Sequence, residues 1–274
     1  MIRRAGVENY FWGKRMKKET EEKLARSLTA ETTELIPFLP YLLQDLWELG
    51  SCSQDMIKLI KKYIPISPGT TILDIACGKG APAIKIAKDL SVNVYGFDLI
   101  SDFIGYAGKK AKEWDVETLC HFNVADANNV VNTEKDYDCV IFGGAGDILG
   151  TPQETLNKLS GTIKQGGFIL IDEAYLTNDS TNGDVKYKNY DYLTREQWMR
   201  LFSGSGLRLV EELRYTSEYD FDSDNRAIAA RADELITKHP EKREIFKQYV
   251  QSQLNESDDL ENNVMGVTWL LQKS

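Results

Sequence analysis

The chain of 274 residues carries 42 acidic and 33 basic side chains, for a formal net charge of −9, and 42% of its residues are hydrophobic. This composition is sufficient for a folded core and excludes global disorder, and the negative charge disfavours a protein that covers nucleic-acid phosphates. Four cysteines and two histidines show no metal-ligand spacing, and no apolar run reaches the ~18–20 residues of a membrane helix. We therefore expect a metal-free cytoplasmic protein without a membrane span.

The first 68 residues are predicted to form a helical appendage. Residues 1–18 hold six basic side chains against Glu8 alone, which is typical of a solvated helix or tail and, as the alternative, of an RNA-binding patch. The aromatic cluster Tyr10-Phe11-Trp12 either packs a helix against the core or covers a bound ligand. From Pro40 to Tyr63 the apolar residues recur with helical spacing, and Gly50-Ser51 interrupts them. That pattern predicts two helices meeting at a turn.

The stretch from Thr71 to Ala83, TILDIACGKGAPA, predicts a strand, a glycine turn and a helix at 81–90 in immediate succession. Gly78 and Gly80 permit positive φ and let a ligand approach the backbone without meeting a Cβ atom. The free N–H groups at the start of the helix then face that ligand, where the helix dipole favours a carboxylate or phosphate. We interpret this stretch as a cofactor site.

Two cofactors satisfy this pattern. Gly78-x-Gly80-x-x-Ala83 matches the dinucleotide fingerprint, and Asp98 ends the next apolar run, where a ribose-binding acid belongs. Asp74 would repel a pyrophosphate but suits a ligand that carries an ammonium and a sulfonium. The run LDIACGKG resembles the first motif of class I S-adenosylmethionine-dependent methyltransferases, LD-[ILV]-G-C-G-x-G. Ala76 stands at a position where this motif usually has glycine. An NAD-dependent reductase remains the alternative.

Short β-branched runs alternate with helical patterns through the middle of the chain, which predicts a parallel sheet with right-handed crossovers. Strands are predicted at 70–75, 92–97, 117–124, 137–142 and 167–172, and helices at 81–90, 101–114, near 127–132 and 152–164. Three later segments also resemble motifs of the methyltransferase family in the expected order. They are NVADA (123–127), YDCVIFGG (137–144) and KQGGFILI (164–171).

Beyond residue 176 the sequence predicts a polar loop at 177–193, a helix to 203, a strand at 207–215, charged helices at 218–256 broken at Pro240, and a last strand at 264–271. The resemblance implies an α/β, Rossmann-like, doubly wound sheet of seven strands, with the last strand antiparallel beside the sixth. It assigns 69–274 to the methyltransferase domain, with the loop and a helical insertion at 216–260 covering the substrate side. The DEAY segment (172–175), the helix at 195–203 and the EYD stretch (218–220) also resemble an uncharacterised bacterial group of small-molecule methyltransferases.

The resemblance assigns cofactor roles at matching positions. The backbone around Ala76, Cys77, Gly78 and Gly80 is expected to hold the methionyl part, and Asp74 to face its ammonium. Asp98 is expected to accept from both ribose hydroxyls, with Leu99 against the adenine. Asp126 is expected to accept from the adenine amino group, and Ala127 to donate to the ring, although Asp126 also suits a helix N-cap. The strand that ends at Gly143 is expected to pass beneath the cofactor.

Methyl transfer from a sulfonium requires mainly alignment of the acceptor, and the sequence offers no catalytic triad. Glu173 follows the fifth strand and is the candidate general base, and Asp147 is placed near the transferred methyl group. His121 fits a core or surface histidine better than a base.

The predicted function is methyl transfer from S-adenosylmethionine to a small-molecule acceptor, with S-adenosylhomocysteine as the second product. An RNA or protein methyltransferase that uses the basic N-terminus, and a cofactor-binding protein without catalysis, are the further alternatives.

Overall fold

Seven strands form one mixed sheet, and their order confirms the predicted fold. The computed structural model describes residues 17–177, 179–215 and 220–274. The strands are β1 (Thr71–Ile75), β2 (Asn93–Asp98), β3 (Cys120–Val124), β4 (Tyr137–Gly143), β5 (Ile163–Leu176), β6 (Leu207–Arg214) and β7 (Val264–Lys273). Their order is β3-β2-β1-β4-β5-β7-β6, in which β7 runs antiparallel to both β5 and β6 and the other neighbouring strands are parallel. The last strand is therefore inserted beside the sixth.

The strand β1 lies in the middle of the sheet and is buried on both faces. All of its residues after Thr71 are buried, and it pairs in parallel with β2 on one side and β4 on the other. Buried parallel strands of this kind require helices on both faces of the sheet. The strand order reverses between β1 and β4, and such a reversal opens a crevice at the carboxyl ends of the strands.

The N-terminal segment contains α1 (Lys18–Ser27), a 3₁₀ turn (Thr33–Phe38), α2 (Leu39–Leu42) and α3 (Ser53–Tyr63). The prediction of a helix from Pro40 to Gly50 is wrong, because the chain leaves helical geometry after Leu42. The ammonium of Lys79 contacts the carbonyl oxygens of Leu43 (2.6 Å), Gln44 (3.0 Å) and Leu46. These carbonyl groups therefore serve a buried cation instead of continuing the helix.

Five helices flank the sheet between its strands. They are α4 (Ala81–Leu90), α5 (Ser101–Glu113), α6 (Ala127–Thr133), α7 (Pro152–Ser160) and α8 (Arg195–Gly204). The helix α7 begins in the predicted capping box of Thr151 and Glu154 but ends four residues earlier than predicted. The reason is that Ile163 already pairs with Tyr137 at the start of β5, so residues 163 and 164 belong to the sheet.

Two long helices, α9 (Phe221–Lys238) and α10 (Arg243–Asn262), form the insertion before β7, with a 3₁₀ turn at the predicted break, Pro240. Their apolar faces pack against the N-terminal segment in a single buried cluster. Its members include Leu35, Leu39, Leu42, Ile228, Leu235, Phe246 and Tyr249. We call residues 18–46 together with α9 and α10 the cap. Each helix within the described ranges is too short or too polar to span a bilayer.

Candidate active site

A cleft of about 930 Å³ lies at the carboxyl ends of β1 and β4, where the strand order reverses. We call it the cofactor cleft. Nine of the ten predicted cofactor-binding residues line it. They are Asp74, Ala76, Cys77, Gly78, Asp98, Leu99, Asp126, Ala127 and Gly143. The tenth, Gly80, lies behind the loop and does not line the cleft.

The loop between β1 and α4 is built from left-handed residues. Ala76, Gly78 and Gly80 have φ angles of +57°, +52° and +74°. The family motif commonly has glycine at the position of Ala76, because the left-handed conformation costs roughly 1–2 kcal/mol for a residue with a Cβ atom. A Cβ atom on Gly80 would lie 2.8 Å from Phe122 Cζ and from Ala107 Cβ. Gly80 therefore supports the loop through close packing at the start of α4.

The Asp74 carboxylate is the electrostatic centre of the cofactor cleft. Its side chain is 2% exposed, and Oδ2 has no hydrogen-bond partner among the described residues. Burial, and secondarily the nearby Asp98 carboxylate, raise the pKa of Asp74 from its ordinary 3.8 to about 8. A buried carboxylate without a partner is costly unless a ligand supplies a donor or a positive charge. The site thus fits the ammonium of an amino-acid moiety.

This raised pKa predicts pH-dependent cofactor binding. Above pH 3.8 the unfolded chain loses the Asp74 proton, whereas the folded protein keeps it up to about pH 8. The contribution of Asp74 to the free energy of unfolding therefore falls as the pH rises from 3.8 towards 8. An ammonium ligand favours the carboxylate and should displace that proton. We expect the affinity for S-adenosylhomocysteine to rise by up to about tenfold per pH unit between about pH 6.5 and 7.5.

Calorimetric titration at both pH values checks this expectation. Asp74→Asn removes the titrating group while keeping the side-chain size, and it should weaken binding and flatten the pH profile. Parallel pH profiles for the two proteins would contradict the assignment of the ammonium to Asp74.

The Asp98 carboxylate binds two backbone N–H groups at the edge of the cofactor cleft. Oδ2 accepts from the backbone N–H of Gly78 at 2.9 Å, and Oδ1 accepts from that of Ile100 at 2.8 Å. Burial raises the pKa of Asp98 to about 6, while these backbone donors favour the charged form. Each carboxylate oxygen has a second lone pair, so two further donors can bind. The predicted contact with two ribose hydroxyls is compatible with this geometry.

The Asp126 carboxylate serves as the N-cap of α6, because Oδ1 accepts from the backbone N–H of Asn128 at 2.8 Å. The helix-cap alternative of the sequence analysis is therefore present in the structure. Asp126 and Ala127 also line the cofactor cleft, and their adenine contacts stay a prediction. The ring of His121 lies beside that of Tyr95 in a tilted arrangement, with centroids 4.7 Å apart, and His121 does not line the cofactor cleft.

Sequence reasoning missed the role of Lys79, the variable residue of the glycine loop. It is 3% exposed and connects the loop to the carbonyl groups that follow α2, while Trp47 Nε1 donates to its carbonyl oxygen at 3.2 Å. Burial lowers the pKa of Lys79 to about 8. A lysine in a glycine turn normally indicates an exposed side chain, so nothing local predicted this contact between the cap and the cofactor loop.

The cap also covers the cofactor cleft from the N-terminal side. Thr20, Leu24 and Ser27 of α1 line the cleft together with Leu49 and Ser51. The aromatic cluster Tyr10-Phe11-Trp12, which the sequence offers as a cover, lies outside the described residues.

A second cleft of about 2190 Å³ adjoins the first. Both clefts are lined by Ser27, Leu28, Leu49, Ser51 and Gly144, so they meet at these residues. The walls of the second cleft come from β5, from α9 and α10, and from the segment 187–192.

Both predicted catalytic residues line the second cleft. The last pair between β4 and β5 is Gly143 with Asp172, and β5 then continues along β7 alone, so Glu173 rises above the sheet edge. Glu173 Oε1 accepts from the Tyr190 hydroxyl at 3.1 Å, and burial raises the pKa of Glu173 to about 7. Asp147 forms an ion pair with Arg26 at 2.8 Å. This pair ties α1 to the loop after β4.

Although the sequence of the segment 177–193 is mostly polar, two of its tyrosine side chains are buried. The carboxylate of Asp259, on α10, is fully buried and accepts from the backbone N–H groups of Lys186 and Tyr187, each at 2.8 Å. This contact holds Tyr187 and Tyr192 against the second cleft, where they are 4% and 6% exposed. The sequence signal for this burial was the presence of Tyr187, Tyr190 and Tyr192 in a stretch otherwise rich in asparagine and aspartate.

Comparison with known proteins identifies the family. Residues 66–213, more than half of the chain, match a protein family described as "Methyltransferase domain". The chain belongs to this methyltransferase family. Its methyl donor is S-adenosylmethionine. The NAD-dependent reductase alternative is therefore set aside.

Individual proteins that resemble this methyltransferase share its fold. The uncharacterized protein YjhP of Escherichia coli (strain K12) is 28% identical over 164 residues, which cover 58% of this chain and only about two thirds (66%) of YjhP. The X-ray structure of YjhP has a TM-score of 0.68 at 21% identity, covering 85% of this chain and 100% of that one.

A structure of an S-adenosylmethionine-dependent methyltransferase from Thiobacillus denitrificans, in complex with S-adenosylhomocysteine, has a TM-score of 0.71 at 20% identity. It covers 86% of this methyltransferase and 98% of that chain. A counterpart from Geobacter sulfurreducens, also with S-adenosylhomocysteine, gives 0.72 at 20% identity, with 87% and 98% covered. These two structures show the shared fold.

Proposed function

We propose that this methyltransferase transfers the methyl group of S-adenosylmethionine to a small-molecule acceptor that binds in the second cleft. We call this second cleft the acceptor cleft. The observation that carries the proposal is the junction of the two clefts at Ser51 and Gly144, beside the end of β4. A methyl group held at the end of β4 would face directly into the acceptor cleft.

The chain's own residues provide alignment and exclude solvent from this junction. Leu28 and Leu49 line both clefts and form apolar walls around the reacting centre. The cap supplies the remaining cover through α1, α9 and α10. Positioning of this kind is worth up to ~7–11 kcal/mol in a displacement that needs little covalent assistance from the protein.

The lining of the acceptor cleft supports a small acceptor over a polymer. Helices of the cap and the segment 187–192 line the cleft, and the formal net charge of −9 opposes extended contact with RNA phosphates. We retain the cytoplasmic location expected from the sequence as part of this proposal.

Thermal unfolding with S-adenosylmethionine, S-adenosylhomocysteine and NAD in separate samples is the first test. A ligand at 100 times its Kd stabilises a protein by about 2.7 kcal/mol, which corresponds to roughly 5–11 °C for a domain of this size. We expect this shift with both adenosyl ligands and none with NAD.

Release of S-adenosylhomocysteine on a mixed panel of small amines, alcohols, phenols and carboxylic acids then tests the transfer itself. Turnover that appears only with RNA or protein, and that disappears on deletion of residues 1–18, would replace the small-molecule proposal. Binding of the adenosyl ligands with no turnover on any acceptor would favour a cofactor-binding protein without catalysis.

A further inference from the structure

The acceptor cleft has a strongly negative lining. Of the described residues that line it, seven are acidic and two are basic. Both basic side chains are already paired, Arg26 with Asp147 at 2.8 Å and Lys58 with Asp55 at 2.7 Å. The cleft therefore presents excess carboxylate groups to whatever binds in it.

Three of these carboxylates, Asp172, Glu173 and Glu256, have no cationic side chain within 4 Å among the described residues. Asp172 accepts from the hydroxyl of Tyr215 and from the backbone N–H of Cys52 at 2.6 Å. Glu256 accepts from Thr29 at 2.5 Å. These neutral donors hold the carboxylates in place but do not compensate their charge.

Burial raises the pKa of all three groups, to about 7 for Asp172 and for Glu173. A raised pKa means that the charged form lacks stabilisation in the protein alone. A positively charged ligand would supply that stabilisation, whereas an anionic ligand would increase the repulsion.

An independent feature of the cleft wall indicates a hydrogen-bonding ligand. Tyr249, on α10, lines the cleft and is fully buried, yet its hydroxyl has no hydrogen-bond partner among the described residues. Glu256 and Tyr187 are close enough to raise the pKa of Tyr249 further, after the larger effect of burial. This oxygen can accept from a ligand N–H group.

The aromatic lining favours the same ligand chemistry. Tyr187, Tyr190, Tyr192 and Tyr215 line the cleft beside the carboxylates. Tyrosine faces attract ammonium groups, and the attraction is stronger where water is excluded. Carboxylates interleaved with tyrosine rings form a site for a cation that has an apolar body.

We infer that the acceptor is a protonated alkylamine, bound among Glu173, Glu256 and Tyr249, and that its nitrogen receives the methyl group. This inference rests on the proposed methyl transfer and specifies its substrate class. The ammonium of the cofactor is a separate positive charge, and its expected partner is Asp74 in the cofactor cleft.

The reaction assigns Glu173 the role of general base. Its carboxylate removes one proton from the bound R–NH₃⁺, which leaves a lone pair on nitrogen. The nitrogen attacks the methyl carbon, the N–C bond forms as the C–S bond breaks, and the electron pair of the broken bond remains on sulfur. The positive charge passes from sulfur to nitrogen, so the products are R–NH₂⁺–CH₃, S-adenosylhomocysteine and protonated Glu173.

Matched ligands that differ only in their terminal group test this inference. Phenethylamine, 2-phenylethanol and phenylacetate form one set, and hexylamine, hexanol and hexanoate form another. Each is titrated calorimetrically into the full-length protein saturated with S-adenosylhomocysteine, and each is assayed separately for methyl transfer from S-adenosylmethionine. We expect the amine of each set to bind at least tenfold more tightly than its partners and to be N-methylated.

Variants of the cleft locate the binding groups. Glu173→Gln and Glu256→Gln should each weaken amine binding at least tenfold and leave the Kd of S-adenosylhomocysteine unchanged. Glu173→Gln should also lower kcat by about 10²–10⁴-fold, as expected for loss of a general base. Tyr190→Phe removes the hydroxyl that holds Glu173 and replaces that test if Glu173→Gln fails to fold. Glu117→Gln, at an exposed position outside both clefts, is the matched control.

The outcomes separate this inference from the proposed function. Equal or tighter binding of an alcohol or a carboxylate overturns the amine assignment, and so does the absence of amine binding to a protein that still binds S-adenosylhomocysteine. Methylation of an alcohol or carboxylate under those conditions leaves the proposed function intact. Failure to bind S-adenosylhomocysteine removes the proposed function and the amine inference together.

Discussion

Asp98→Ala is expected to raise the Kd of S-adenosylhomocysteine at least tenfold. The predicted ribose contacts are hydrogen bonds to a charged group, which contribute ~1.5–3 kcal/mol each, and every 1.4 kcal/mol corresponds to a factor of about ten in Kd. The loss of both contacts would therefore exceed a hundredfold. The substitution also removes the acceptor for the backbone N–H groups of Gly78 and Ile100, so the glycine loop itself loses support.

Calorimetric titration well below the unfolding temperature measures this effect separately from stability. Asp102→Ala is the matched control, because Asp102 is an exposed aspartate in the first turn of α5 and does not line the cofactor cleft. Its Kd should stay within about twofold of the unmodified protein, since an exposed acid in a first helical turn contributes only ~0.3–1 kcal/mol, and to helix stability. An unchanged Kd for Asp98→Ala would refute the ribose assignment.

Gly144→Ala is expected to lower the free energy of unfolding by about 2–4 kcal/mol. Gly144 has a φ of +61°, and a Cβ atom there would lie 2.6 Å from the carbonyl oxygen of Gly50 and 3.0 Å from that of Leu49. Backbone atoms cannot rotate away as a side chain can, so either the segment 49–51 or the end of β4 must move. At roughly 2–4 °C per kcal/mol, Tm should fall by about 4–16 °C.

Calorimetric unfolding of Gly144→Ala beside Gly105→Ala provides the comparison. Gly105 lies on an exposed face inside α5, and a Cβ atom added there meets no heavy atom within 4 Å. Alanine is the better helix former, so Gly105→Ala should raise stability by up to about 1 kcal/mol. Since Gly144 lies at the junction of the two clefts, its variant should also lose methyl transfer. Equal Tm values for the two variants would show that Gly50 and Gly144 do not approach each other as described.

The sequence was sufficient to predict most of the residues that line the cofactor cleft. The strand β1, the glycine loop and α4 follow one another without interruption, and nine of the ten predicted cofactor residues line one cleft. The information is local, because left-handed turns need glycine and parallel strands need apolar runs. Ala76 adopts a left-handed conformation at the position where the family motif usually has glycine.

Contacts between distant parts of the chain could not be predicted from the sequence. The helical periodicity after Pro40 is real, yet α2 ends at Leu42, because the ammonium of Lys79 contacts carbonyl groups more than 30 residues away along the chain. The segment 177–193 looks like a solvated loop, yet the buried Asp259 carboxylate holds its backbone.

The sequence by itself predicted most strands and helices of the sheet region and the residues that line the cofactor cleft, since these depend on periodicity and turn chemistry within short stretches. The antiparallel last strand was expected from the family resemblance. Only the tertiary structure decided the character of the acceptor cleft. Glu173, Tyr190, Tyr249 and Glu256 come from β5, a loop and α10, and each alone resembles an ordinary surface or core residue. Their charges and hydroxyl groups acquire a shared chemistry because folding removes them from water and places them around one cavity.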